Sequence, residues 1–259
     1  MTIVMKRLYF ILITLFIFTS CHIPEIKKSI INKNIGSPVK ILHISDLHLK
    51  KNKPIYDKVI NKINTIKPDL LFITGDSIDK KRNLPLLDSF LKKIDPQIKK
   101  YAIAGNWEYW CRVNFSKLKD VYKKNGVRFL VNESDEVMIR DHCFYIYGLD
   151  DYIGGKPDIT KIKIDPEKHI IVMSHCPVLF DHMAEDYKKT PMYVLSGHTH
   201  GGQITFFGKP LILPEGSSKY VKGIYKKDNM KLFVSKGIGN SIIDFRIGAR
   251  PDMFYIIMK

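Results

Sequence analysis

Two histidines, His198 and His200, stand one residue apart within Leu-Ser-Gly-His-Thr-His-Gly-Gly-Gln, residues 195–203. On an extended backbone such an i, i+2 pair faces one side of a strand. Gly197, Gly201 and Gly202 allow the alternative, a tight loop on which both imidazoles converge. Imidazole is the commonest side-chain ligand of divalent transition metals, yet two close histidines alone say little. Four more clusters change that: Asp46-Leu47-His48, Gly75-Asp76-Ser77-Ile78-Asp79, Gly105-Asn106-Trp107-Glu108 and Ser174-His175. Taken singly, each of these residues reads as a capped turn or a satisfied loop histidine. Collected, Asp46, His48, Asp76, Asn106, His175, His198 and His200 form a donor set of carboxylate, imidazole and amide oxygen, which suits Mn, Fe, Zn or Co. Seven donors are too many for one ion and fit two ions bridged by one carboxylate. Such a pair, about 3.5–4 Å apart, clamps a phosphoryl group and acidifies water.

The segments that must position these residues repeat one pattern: strand, polar cluster, helix. Val39–Ser45, Asp69–Thr74, Lys100–Ala104, Ile170–Met173 and Tyr193–Leu195 are apolar, β-rich runs, and each leads into one of the five clusters. Residues 54–66 place Ile55, Val59, Ile60, Ile63 and Ile66 on one helical stripe behind Pro54. Residues 84–94 and 115–124 read as further helices, the latter stopped by Gly126. Closely spaced short strands are expected at 127–131, 136–140 and 142–147, with more at 203–207, 231–234 and 254–258. No internal repeat is visible. In α/β proteins ligands gather at the carboxyl ends of strands, and that is where the clusters fall.

In this order, Asp46-x-His48, Gly75-Asp76-x-x-Asp79, Gly105-Asn106-x-Glu108, Ser174-His175 and Gly197-His198-Thr199-His200 resemble the five motifs of calcineurin-like metallophosphoesterases. The resemblance covers about residues 39–258. Gly201-Gly202-Gln203, Gly237-x-Gly239 and Arg250-Pro251-Asp252 are most similar to a bacterial membrane-associated branch. That branch contains general phosphodiesterases and hydrolases of the UDP-2,3-diacylglucosamine pyrophosphate. The resemblance implies a four-layer α-β-β-α sandwich of two mixed sheets with the metal site at the strand C-terminal ends. Carried over, Asp46, His48, His200 and Asp76 hold one metal, and Asp76 bridges. Asn106, His175 and His198 hold the second, with Asp76, Asn106 and His198 acting on the substrate. Asp79 and Glu108 are read as helix caps, the alternative being orientation of a ligand.

The chain departs from the family at Trp107, where many members carry a histidine thought to protonate the leaving oxygen. Indole is no proton donor of suitable pKa, and general-acid help is typically worth about 10²–10⁴ in rate. A phosphoanhydride or activated diester, with a good leaving group, needs that help least. His142 is one other possible proton source. Trp107, Tyr109 and Trp110 offer a wall beside the metals, although core packing is the plainer expectation for Trp110. Arg246 and Arg250 are candidate phosphate contacts. Residues 206–223, apolar and basic, are either a loop that meets a lipid-bearing substrate or a strand connection packed on the sheet.

The chain has 45% hydrophobic and 26% charged residues, ordinary for a globular protein, and 259 residues suffice for one large α/β domain. Its net charge of +16 comes largely from scattered Lys-Lys doublets, which read as a solvated surface that favours anionic partners. No nucleic-acid motif is present, so no specific nucleic-acid partner is expected. The four cysteines form no CxxC, which argues against a structural thiolate zinc site and indicates no disulfide scaffold. Residues 1–23 carry Lys6-Arg7 and then an apolar run, the pattern of a signal peptide or uncleaved anchor. Ser20-Cys21 resembles a lipoprotein lipobox. Residues 24–38 are expected to be a linker and 39–259 the catalytic domain.

Three functions follow. The first is a membrane-associated, monomeric, dinuclear metallohydrolase of phosphodiester or pyrophosphate bonds, acting on a phosphoester or nucleotide-linked lipid such as UDP-2,3-diacylglucosamine. The second is a nuclease or cyclic-nucleotide phosphodiesterase. The third is a non-catalytic binding lipoprotein.

Overall fold

A computed structural model describes residues 23–33 and 36–259. The apolar N-terminal segment and Cys21 therefore lie outside the described residues. Among the described residues no helix is long and apolar enough to cross a membrane. Cys111, Cys143 and Cys176 are free thiols.

Two six-stranded mixed sheets form the centre of the molecule. The first runs β1 (Glu25–Ile31), β14 (Asp252–Met258), β2 (Val39–Ile44), β3 (Leu70–Thr74), β4 (Lys99–Ile103), β5 (Val127–Phe129) across the sheet. From β2 to β5 its strands are parallel, while β14 pairs antiparallel to β2. The second runs β12 (Gly223–Lys227), β13 (Met230–Val234), β9 (Met192–Ser196), β8 (His169–Met173), β7 (His142–Gly148), β6 (Glu133–Ile139). Its inner strands are parallel and its two edges antiparallel.

Strand alternation sorts side chains into separate cores. Ile41, Phe72, Tyr101 and Ile103 of the first sheet meet Phe144, Ile146, Ile171 and Leu195 of the second between the sheets. On the opposite face of the first sheet, Leu42, Ile44, Leu71 and Ile73 pack under α1 (Pro54–Ile66), α2 (Leu84–Lys92) and α4 (Phe115–Lys124). Tyr145, Tyr147, Val172 and Val194 pack under α5 (Leu179–Asp186). Fully burying each large aliphatic side chain contributes roughly 1.5–3 kcal/mol. The result is the expected α-β-β-α sandwich.

Several boundaries differ from expectation. The linker expected over 24–38 contains a strand: β1 adds parallel to β14 over seven residue pairs, from Glu25↔Asp252 to Ile31↔Met258. Its Lys27-Lys28 pair hides it, and its partner lies at the far end of the chain. The strand expected at 203–207 shrinks to β10 (Thr205–Phe206), half of a small hairpin with β11 (Lys209–Pro210). A one-turn helix, α3 (Asn106–Trp110), starts at one of the polar clusters.

Candidate metal centre

All five clusters sit just past the carboxyl ends of β2, β3, β4, β8 and β9, where parallel strands of both sheets end side by side. The turns there are strained. Asp46, His48, Asp76, His198 and His200 adopt φ of 51°, 45°, 52°, 72° and 50°. For a residue with a Cβ the left-handed region costs roughly 1–2 kcal/mol, and outliers of this kind collect at functional sites. Here each left-handed residue turns the chain sharply off its strand, so that neighbouring donors aim at one point. Gly197 lets two such turns touch: a Cβ there would lie 2.2 Å from Asp46 Oδ2 and 1.8 Å from Ser45 Oγ.

Seven donors converge as two groups. In the first, ligand atoms of Asp46, His48, Asp76 and His200 lie within 4.8 Å of one another, all buried. His48 Nε2 is 3.1 Å from His200 Nε2, and His200 Nε2 is 3.4 Å from Asp46 Oδ1. In the second, Asn106 Oδ1 is 3.2 Å from His175 Nε2 and 3.1 Å from His198 Nδ1. His198 Nδ1 is in turn 3.3 Å from His175 Nε2. Asp76 Oδ2 joins the groups, 3.6 Å from His48 Nε2 and 3.2 Å from His175 Nε2. Its other oxygen, Oδ1, accepts from the backbone N–H of Trp107 at 2.9 Å. The carboxylate is therefore held by one oxygen and offers the other to both clusters.

The outer ring nitrogens test whether this donor set fits cations. His48 Nδ1 donates to Asp79 Oδ1 (2.6 Å), His175 Nδ1 to the Thr74 carbonyl (2.7 Å), and His198 Nε2 to the Glu215 carbonyl (2.6 Å). Each bond occupies the outer nitrogen, fixes the ring's orientation and leaves the other nitrogen facing inward, as metal-ligating histidines require. Burial, His48 and Arg246 hold His200 far below the usual imidazole range, so this ring is neutral. Burial and then His175 depress His198 in the same way. Burial opposes ionisation of Asp76, but His175 and His48 carry its carboxyl down to about 2. Burial opposes protonation of His175, but Asp76 carries it well above the usual imidazole range. Its ring, with the other imidazoles, the carboxylates and the amide oxygen, makes a donor set that fits two divalent ions.

Other residues hold this set in place. Asp79 is not a helix cap: the turn after it starts at Lys80 without a side-chain cap. Instead Asp79 orients His48 and is paired with Lys50 at 2.9 Å. Glu108 accepts four backbone N–H groups, from Asp76, Ser77, Ile78 and Gly105, at 2.7–3.2 Å. It caps α3, as its spacing suggests, and also ties α3 to the Asp76 turn. Burial and the Asp76 charge push its carboxyl up to about 7, while the Gly105 and Ile78 N–H groups pull it down.

Arg246 does not face substrate. It is 4% exposed, and its guanidinium donates to the carbonyls of His200, Lys236, Gly239 and Ala249, with Nη2 3.0 Å from His200 Nδ1. Sequence reading missed this bracing role, which isolated Arg spacing does not signal. Arg250 is exposed and does not line the cleft. His142 lies at the N-terminal end of β7, edge-on to His169 at 5.6 Å, and β7 runs parallel to β8. It therefore sits a strand length, roughly 20 Å, from the centre and supplies no proton there.

The seven donors open onto a cleft of about 410 Å³. Trp107 forms part of its wall and meets the His48 ring edge-on at 5.5 Å. Trp110 is 57% exposed on the same wall, not packed in the core as expected. Tyr109 turns away and donates to Asp150. The titratable residues lining the cleft are Asp76, His198 and His200, already metal donors. The rest of the lining is largely apolar, including Ile204, Leu211, Ile212, Ile242 and Ile243.

The profile of the calcineurin-like phosphoesterases matches residues 39–202. The uncharacterised metallophosphoesterase YkoQ of Bacillus subtilis is 30% identical, over 87% of each chain. The phosphodiesterase YaeI of Escherichia coli is 26% identical, over 85% of this chain and 82% of its own. Among solved structures, the Haemophilus influenzae NAD nucleotidase superposes with a TM-score of 0.54 at 15% identity. That alignment covers 78% of this chain and 46% of the nucleotidase, so the likeness is one of fold.

Proposed function

The chain belongs to the calcineurin-like phosphoesterase family, and from that premise we propose that it hydrolyses a phosphoanhydride or activated phosphodiester joined to an apolar, lipid-like group. The observation that carries the metal-dependent part is the shared Asp76 Oδ2, within 3.6 Å of one donor cluster and 3.2 Å of the other. When bound, a divalent pair supplies Lewis-acid polarisation of a phosphoryl group and water acidified toward neutrality.

The chain's own residues do the rest. Asp76, held through Oδ1 by the Trp107 N–H, keeps its other oxygen between the two clusters. Asn106 adds a neutral oxygen, which limits the negative charge facing an anionic substrate. His198 turns Nδ1 inward by donating its Nε2–H to the Glu215 backbone carbonyl. The cleft's titratable side chains are all metal donors, so none is left to protonate a poor leaving group. That supports a substrate whose leaving group is already a stable anion. Apolar lining beside the metals supports a lipid-like appendage, and UDP-2,3-diacylglucosamine is one compound of that description. Membrane association through residues 1–23 belongs to the same proposal and agrees with a lipid substrate.

The test is a manganese-supplemented screen of the purified protein against bis-aryl phosphodiesters, nucleotide sugars and UDP-diacylglucosamine, with Asp76→Ala as control. Two ions per chain and activity lost in the variant support the reading. A chain that holds no metal, or activity that survives Asp76→Ala, refutes it and leaves the non-catalytic binder.

A further inference from the structure

The metal cleft opens through an apolar rim that the fold leaves uncovered. The β10–β11 hairpin carries Phe206 and Phe207 at its tip, 67% and 91% exposed, their rings 4.6 Å apart. Leu211 and Ile212, 67% and 81% exposed, follow directly. Ile242 (84% exposed), Ile243 and Trp110 line the same cleft as Leu211 and Ile212. The two loops are tied together. Gln203 Nε2 donates to the Ile243 carbonyl at 2.8 Å, and Ser241 N donates to Gln203 Oε1 at 3.1 Å. The rim is thus a built surface, and exposed apolar patches of this kind mark contact with a partner or membrane.

We propose that this rim seats the protein on an anionic phospholipid bilayer, so that the cleft opens toward the lipid and takes substrate from it. Rim composition selects the bilayer. Paired phenylalanines on a hairpin tip, branched aliphatics and a tryptophan are the side chains that enter the boundary between headgroups and acyl chains. Charge agrees. Lys209 lies in the hairpin itself and is exposed. Lys50 donates to the Ser241 carbonyl while paired with Asp79, and Lys51 and Lys53 pair with Asp244, which puts three cations beside the 241–244 loop against two acids. Basic residues flanking an apolar face are attracted to anionic headgroups. A second copy of the chain is a poorer occupant, since two molecules of +16 repel across a shared face. The inference rests on the surface and not on the identity of the substrate.

Trp107 and Trp110 are the only tryptophans in the sequence and both line the cleft, so intrinsic fluorescence reads this rim directly. Full-length protein is mixed with vesicles of phosphatidylcholine containing about 30 mol % phosphatidylglycerol, with and without acyl-chain bromine as quencher. In the wild type, bromination is expected to reduce the emission by roughly half or more, because indole inserted at the interface meets the quencher. Phe206→Ser/Phe207→Ser is expected to lose most of that quenching while its thermal midpoint and its hydrolysis of a soluble aryl phosphodiester stay unchanged. A tether elsewhere in the chain remains intact in the variant, so it cannot produce this difference. Absence of quenching, equal quenching in the variant, or equal quenching on pure phosphatidylcholine overturns the proposal. So does sedimentation showing a dimer that the variant converts to monomer, which would assign the face to a second copy. Soluble-diester activity in the same samples separates failure of the bilayer proposal from failure of the hydrolase reading.

Discussion

Asp79 donates nothing to a substrate, yet its carboxylate at 2.6 Å from His48 Nδ1 decides which nitrogen of that ring is bare. Asp79→Asn keeps an acceptor and removes the charge. Partners of this kind typically carry about 10–100-fold in metal affinity, so manganese affinity is expected to fall within that range while the circular dichroism spectrum stays the same. Unchanged metal binding would show that Asp79 serves only its ion pair with Lys50. Trp107 makes the complementary case. With the ring in the cleft wall and no spare acid among the lining residues, Trp107→His is expected to raise the rate on alkyl phosphoesters by about 10²-fold or more and to leave aryl esters nearly unchanged. Equal gains on both would sink the leaving-group argument. The seven donors were legible in the sequence because each stands in a short pattern of chemically distinctive residues at a strand end. Arg246 was not, since bracing His200 depends on five carbonyl and ring contacts that only the folded loop brings together.

At the level of the element, β2 shows how a strand is shaped by its function at one end and by its core elsewhere. Its residue His43 is fully buried, stacked on Phe254 at 6.1 Å, with Nε2 bonded to Thr74 Oγ1 and Nδ1 without a partner. Burial pushes this imidazole from its ordinary 6.5 down to about 3. The folded pKa lies below the unfolded one, so the unfolded chain binds the extra proton between these values. Stability is therefore full above about pH 6.5 and declines as the pH falls toward 3, at up to about 1.4 kcal/mol per unit. His43→Leu removes the group and also the orphaned Nδ1. Melting midpoints of wild type and variant, followed from pH 7.5 to 4.5, are expected to diverge, with the variant falling less steeply. Parallel slopes would assign the acid sensitivity elsewhere. Strands such as β2, β3 and β9 were readable because continuous apolar runs mark parallel strands covered on both faces. α3 and α5 were harder: α3 is a single turn defined by the Glu108 contacts, and α5 has only eight residues.

For the whole molecule, local pattern gave the α/β class and the family resemblance gave the order of layers, but neither gave the extra edge strand of the first sheet. β1 docks on β14 across more than two hundred residues of sequence, and nothing local announces so distant a pairing. Its contribution is still concrete. Ile31 is buried between the sheets, and Glu25 bonds Lys236 Nζ at 3.0 Å. Lys236 also approaches buried Asp252, and its side chain packs against Gly201 of the histidine loop. Through Lys236, then, an edge strand that read as a linker braces the element carrying His200. A chain beginning at Val39, where the linker reading would start the domain, loses seven residue pairs of strand and uncovers the β14 edge, which is prone to pair with other chains. Compared with a chain beginning at Ile23, it is expected to melt about 10 °C lower if the lost contacts are worth a few kcal/mol, and to scatter light on heating. Its metal affinity is expected to fall as the Lys236 brace loosens. Equal melting points and equal metal binding in the two chains would mean that β1 decorates the sheet without supporting the centre.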